Sequence, residues 1–181
     1  MEEHLEILNR LHACEEGKNW ASVQENSEAC WNNCKRSDWM IWLIRKLNNI
    51  NININFYKKY ACFCARQNWS KIIDQRSKDG IIAAEQYVEG KITIEEMQAA
   101  RNTATYAAAV AATYAAVDAA ATYAADAAAA TYVDAAAYVT AAATYAADAA
   151  ADAAARKQIK IAQCVWIRSQ ISFAEVMERL K

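Results

Sequence analysis

The side chains able to do chemistry are an arginine–tryptophan corner, two further arginines, a set of spaced tyrosines and six thiols. Residues 34–47 read CKRSDWMIWLIRKL, placing Arg36 and Asp38 beside Trp39, with Trp42 one turn further on. A guanidinium in that setting can stack on an indole or grip a phosphate. Arg66, closing the run YACFCAR, and Arg168, near Gln170, are two more cations that could meet an anionic group. Tyr106, Tyr114, Tyr123, Tyr132, Tyr138 and Tyr145 punctuate an alanine-rich stretch. Their rings either line a polar groove or fill the space between closely packed helices, with hydroxyls donating to Asp.

Catalysis finds little to work with. His12 lies near Cys14, but no acid or serine at a telling distance completes a set. The chain has 2 His, no glycine-rich phosphate loop, no nucleophile elbow and no metal-ligand pattern. A non-enzymatic protein without cofactor or metal is expected. The cysteines stand at 14, 30, 34, 62, 64 and 164. Their C-x3-C and C-x-C spacings match zinc knuckles poorly, and their apolar company predicts buried, reduced thiols.

The elements that must position these groups are helices. Of the 53 residues in 103–155, 31 are Ala and the rest only Thr, Tyr, Asp and Val, so the strongest helix former meets no forced stop. One straight helix of that length would span about 80 Å, against a radius of gyration of about 16 Å for a compact chain of this size. It must fold back. Thr113, Thr122, Thr131 and Thr140 recur every nine residues, so successive Thr-Tyr pairs point to opposite sides. That period does not keep Thr on one face, as an ice-binding helix would require. Thr131 with Asp134 has the form of a capping box and predicts a break there. Asp118, Asp126, Asp134, Asp148 and Asp152 exclude a membrane helix.

In the preceding half, residues 3–23 read as one helix through Gly17, and Asn26 with Ser27 opens a short helix over 28–34 that carries Trp31. Ser37 or Asp38 is expected to cap the strongly apolar helix that follows. The run NNINININ at 48–55 alternates like a strand but has nothing to pair with, and is read as a connection. Beyond it a helix should turn Phe56, Tyr60, Phe63 and Cys64 inward and Lys58, Lys59 and Arg66 outward. Residues 74–80 are read as a polar loop and 81–88 as a helix ended by Gly90. Thr93 with Glu96 is a capping box launching the helix into the alanine block. Residues 159–166 continue the last long helix towards an amphipathic tail.

Zero Pro, 3 Gly and 55% hydrophobic residues in 181 describe an all-α chain with short connections. The expected architecture is a helical bundle: a Trp- and Cys-rich half over 1–90 and long Ala-rich antiparallel helices over 91–181, co-folded as one domain. A net charge of −1 gives no bulk attraction to nucleic acid. The start, MEEHLEI, has no apolar signal core, which predicts a cytoplasmic protein, and facing alanine surfaces make a homodimer plausible.

Several motifs then fall in order. They are Ala13-Cys14-Glu15-Glu16-Gly17 with Trp20; Arg36, Asp38, Trp39 and Trp42; residues 60–66; Ile81-Ile82-Ala83-Ala84-Glu85 with Tyr87 to Gly90; the alanine block; and Arg168 near Gln170. Over nearly its full length the chain resembles a family of bacterial and phage immunity proteins, similar to the group called immunity-five-like. The family has an Arg-Pro loop before the helix equivalent to 81–88, where this chain reads QRSKDG. The resemblance implies a role in conflict between bacteria, or between bacteria and phage, and carries no catalytic residues. Two functions are expected from it: an inhibitor that neutralises a toxin or defence protein by stoichiometric binding, or a sponge holding a small nucleotide immune signal between aromatic rings and arginines.

Overall fold

The computed structural model describes residues 3–47, 54–110 and 153–180 and is all-α. In chain order the helices are α1 (Glu3–Arg10), α2 (Glu15–Ala21), α3 (Ser27–Asn33), α4 (Ser37–Lys46), α5 (Ile54–Arg66), α6 (Gln75–Val88), α7 (Ile94–Val110), α8 (Ala153–Gln170) and α9 (Phe173–Leu180). A 3₁₀ turn, Trp69–Lys71, follows α5, and there is no strand among the described residues. The chain forms two compact units, residues 1–50 with 160–181 and residues 51–159. The helical course expected over 111–152, with its break near Thr131, lies outside the described residues.

In the unit formed by the two ends of the chain, the expected single helix over 3–23 is two helices. His12 adopts φ +58°, a left-handed conformation. The His12 N–H donates to the Asn9 carbonyl and the Ala13 N–H to the Leu8 carbonyl. That pair of bonds is a Schellman closure, with histidine where glycine is usual. The periodicity of Leu8, Leu11 and Cys14 hid the stop because a backbone reversal leaves no mark on apolar spacing.

Helix α4 supplies Met40, Ile41 and Ile44, each at most 4% exposed, to a core shared with Trp31, Ile167 and Val176. Burying each such side chain stabilises by about 1.5–3 kcal/mol. Neither Ser37 nor Asp38 caps α4, contrary to expectation. Arg36 occupies the N-cap position without a side-chain bond to the helix. Ser37 is buried and its hydroxyl donates to Gln163 Oε1 at 2.6 Å, while Asp38 is taken by Arg36. Tertiary partners outcompete the local cap. The amphipathic tail forms α9, opened by a capping box in which the Ser172 N–H and hydroxyl donate to Glu175 and the Glu175 N–H donates back to Ser172 Oγ.

In the unit 51–159, α5 is buried along Tyr57, Tyr60, Ala61, Cys64 and Ala65. Lys58, expected outside, is only 9% exposed. Its ammonium lies 5.1 Å from the Tyr87 ring centroid, and burial holds its pKa below the usual lysine value. The stretch 74–80, expected as a loop, is the start of α6. Asp74 Oδ1 accepts from the Arg76 N–H at 2.9 Å, an N-cap that the lack of apolar residues concealed. The Gly90 N–H donates to Tyr87 and the Lys91 N–H to Gln86, with Gly90 at φ +72°, so α6 ends in a second Schellman closure. Thr93 and Glu96 exchange the two bonds of the expected capping box. Cys62, Ala83, Ala84 and Met97 form the core joining α5, α6 and α7.

Candidate functional site

The corner at the start of α4 is assembled as the sequence suggests, with one addition. Asp38 receives Arg36 through Nε at 3.0 Å and Nη2 at 2.7 Å, a fork fitted to a carboxylate. Arg36 Nη1 also donates to Glu16 Oε1 at 2.9 Å, a partner 20 residues away on α2 that no local spacing announces. The guanidinium carbon then lies 4.4 Å from the Trp39 ring centroid, and Trp39 meets Trp20 at 5.8 Å between centroids. Asp38's hydrogen bond is the main reason Arg36 is held even more firmly protonated than usual. Burial pushes the Asp38 carboxyl up, but the hydrogen bonds and charge of Arg36, with the charge of Lys160, outweigh it and leave Asp38 below the ordinary aspartate value. Trp42 stands apart from this fork, with Lys46 Nζ 5.9 Å from its ring centroid.

Arg66 repeats the arrangement in the other unit. Its Nε and Nη2 donate to the two Glu85 oxygens at 2.7 and 2.5 Å, pinning α5 to α6. Its guanidinium carbon lies 3.8 Å from the Trp69 ring centroid. Arg168 is used differently. Its Nη1 donates to the carbonyls of Trp31 and Cys34, each at 3.1 Å, and contacts Met40 Sδ at 3.7 Å. A cation placed there satisfies carbonyls that α3 leaves open at its end and opposes the negative end of its dipole.

The tyrosine set is not placed by the structure. Tyr106 lies on the backbone of α7 but its side chain, with Tyr114, Tyr123, Tyr132, Tyr138 and Tyr145, falls outside the described residues. Cys34, Cys62, Cys64 and Cys164 are buried, Cys30 is half-buried and Cys14 exposed, and none of the six is in a disulfide. The Cys164 thiol hydrogen-bonds to Cys34, which lowers the Cys34 pKa and pushes that of Cys164 up. No group of three or more His, Cys, Asp or Glu is gathered as a metal centre among the described residues. No described helix is long and apolar enough to cross a membrane.

A half-open pocket of about 110 Å³ lies in the unit formed by residues 1–50 and 160–181, walled by side chains that include Trp20, Trp31, Trp39, Trp42, Met177 and His4. Of these, the sequence pointed to Trp39 and Trp42 but not to the pocket itself. His4, not His12, is the buried histidine, with Nε2 at 3.1 Å from the Ala21 carbonyl. Its spacing to Ile7 and Leu8 was the available signal.

No family model, curated protein or solved structure matches the chain.

Proposed function

We propose that the chain is a non-enzymatic binding protein of bacterial or phage conflict that neutralises a toxin or defence component by one-to-one contact. The supporting observation is the pre-ordered corner. Arg36 is fixed by Glu16 and Asp38 and seated on Trp39, while 36% of the Arg36 side chain and 41% of the Asp38 side chain stay accessible. Arginine and tryptophan dominate binding energy at interfaces, and side chains already fixed lose less entropy on docking. The conflict setting rests on the family resemblance.

A nucleotide sponge has less support. It asks for a guanidinium able to meet phosphate, whereas Arg36, Arg66 and Arg168 are each engaged by carboxylates or carbonyls within the fold.

The test is native mass spectrometry of the chain purified gently from its host. The expected result is one added polypeptide per chain, lost in Arg36→Glu and Trp39→Ala variants that keep the wild-type helical circular dichroism. A bare chain, a mass excess the size of a nucleotide, or a complex indifferent to both substitutions would overturn the reading.

A further inference from the structure

We infer that Cys34 and Cys164 form a redox site, at which a hydroperoxide oxidises the two thiols to a disulfide. Their sulfurs are in hydrogen-bond contact, Cys164 donating to Cys34. Two further bonds hold the pair in register. Ser37 donates to Gln163 Oε1 at 2.6 Å on one side, and Arg168 Nη1 donates to the Cys34 carbonyl at 3.1 Å on the other. Cys34 is the last, non-helical residue of α3, at φ −60° and ψ 126°, so the approach to an S–S bond of about 2 Å can be taken up outside a helix. Cys164 is fully buried, while Cys34, 6% exposed, forms part of the wall of the half-open pocket. From that side an oxidant hardly larger than water would arrive.

The remaining thiols are set differently. Cys30 is one helical turn from Cys34, where Cβ atoms lie about 5–6 Å apart, against about 3.8 Å in a disulfide. Cys62 and Cys64 are two positions apart on α5 and point to different sides. The hydrogen bond from Cys164, with the charge of Arg168 adding to it, holds the Cys34 thiol below its ordinary value against the effect of burial. The thiolate is the nucleophile. Its sulfur attacks one peroxide oxygen: an S–O bond forms, the O–O bond breaks, and the departing hydroxide takes the proton Cys34 gave up and leaves as water. The Cys164 sulfur then attacks the sulfenic sulfur. The S–S bond forms, the S–O bond breaks, and hydroxide carries off the Cys164 proton as a second water. Two thiols lose two electrons and the peroxide gains them. The site is separate from the protein-binding reading, and its failure would leave that reading untouched.

The test is a peptide map of the full folded chain after treatment with hydrogen peroxide, with free thiols alkylated on unfolding and digestion under non-reducing conditions. One cross-linked peptide pairing Cys34 with Cys164 is expected, reversed by dithiothreitol. Alkylation of both should fall about tenfold while Cys62 and Cys64 keep theirs. In Cys164→Ser the oxidation should stop at a Cys34 sulfenic acid that dimedone traps, and in Cys34→Ser the Cys164 thiol should stay reduced. The wild-type map decides without either variant, should one fail to fold. Cys34 and Cys164 both left open to alkylation, a disulfide joining another pair, or a cross-link formed only in the urea-unfolded chain would overturn the assignment.

Discussion

Gly80 of α6 faces Ala104 of α7 so closely that a Cβ on Gly80 would come within 2.9 Å of the Ala104 Cβ. Glycine in a helix interior ordinarily costs about 0.5–1 kcal/mol relative to alanine, so propensity alone favours Gly80→Ala. Overpacking a rigid contact costs about 1–3 kcal/mol and wins. Gly80→Ala is expected to lower the urea midpoint, and Gly80→Ala with Ala104→Gly to recover most of the loss. A stabilised single variant would show that the two helices separate freely.

His12 sits at φ +58°, where a side chain is strained and glycine is not. His12→Gly should raise stability by up to about 1 kcal/mol, and His12→Val should lower it by more than the histidine strain itself, because β-branching fits that conformation worst. Thermal melts of the three proteins decide. Equal midpoints would mean that α1 does not end in a left-handed residue in solution.

Arg36 and Asp38 give an acid-side prediction. A carboxyl whose folded pKa lies below its unfolded value stabilises the fold above the unfolded value, and that contribution disappears as pH falls through the folded pKa. Arg36→Gln leaves the burial of Asp38 but removes its main counter-charge. The carbon-13 titration of the Asp38 carboxyl should move from below the ordinary aspartate midpoint to above it. Because the pair is partly exposed, the stability loss at neutral pH should be no more than about 1 kcal/mol. An unmoved midpoint would show that the fork is not formed.

Cys62 gives the alkaline counterpart. Burial, with Glu85 adding to it, pushes its thiol from 9.0 up to about 12. Its folded pKa is raised, so the contribution is complete below the unfolded value and declines as pH rises, at about 1.4 kcal/mol per pH unit, until the folded pKa is reached. Denaturant melts between pH 9 and 12 should fall more steeply for the wild type than for Cys62→Ala, whose lower starting stability reflects the lost sulfur. Parallel slopes would place Cys62 in contact with water.

The capping boxes at Thr93 and Ser172 predict that Thr93→Ala and Ser172→Ala each cost about 1 kcal/mol. The loss should be seen as faster amide exchange in the first turns of α7 and α9. The backbone N–H of Ser172, then its hydroxyl, hold Glu175 below the ordinary glutamate value. Ser172→Ala should therefore also raise the Glu175 midpoint.

Those boxes divide what was legible in the sequence from what was not. Thr93 and Glu96 meet across three residues, and Arg36, Asp38 and Trp39 across one turn, so their contacts follow from spacing alone. Ser172 with Glu175 is just as local and went unread among the apolar residues of the tail. Glu16 reaches Arg36, and Glu85 reaches Arg66, only because helices distant in sequence pack together. The same holds for the start of α6. Its first two turns carry few apolar residues because they present Ser77 and Gly80, both fully or nearly buried, to neighbours whose closeness no periodicity records. The all-α class was legible from the scarcity of breakers. The half-open pocket was not, since its wall is shared by several helices at once.

The bond from Ser37 to Gln163 joins residues 126 positions apart, and this has a bearing on how the chain is made. At about 5–20 residues per second on a ribosome, residues 160–181 follow residues 1–50 by roughly 5–20 s. Throughout that interval the apolar side of α4 and the Ser37 hydroxyl lack the partners that α8 and α9 bring. Residues 1–50 therefore suit a holding chaperone until residues 160–181 have emerged.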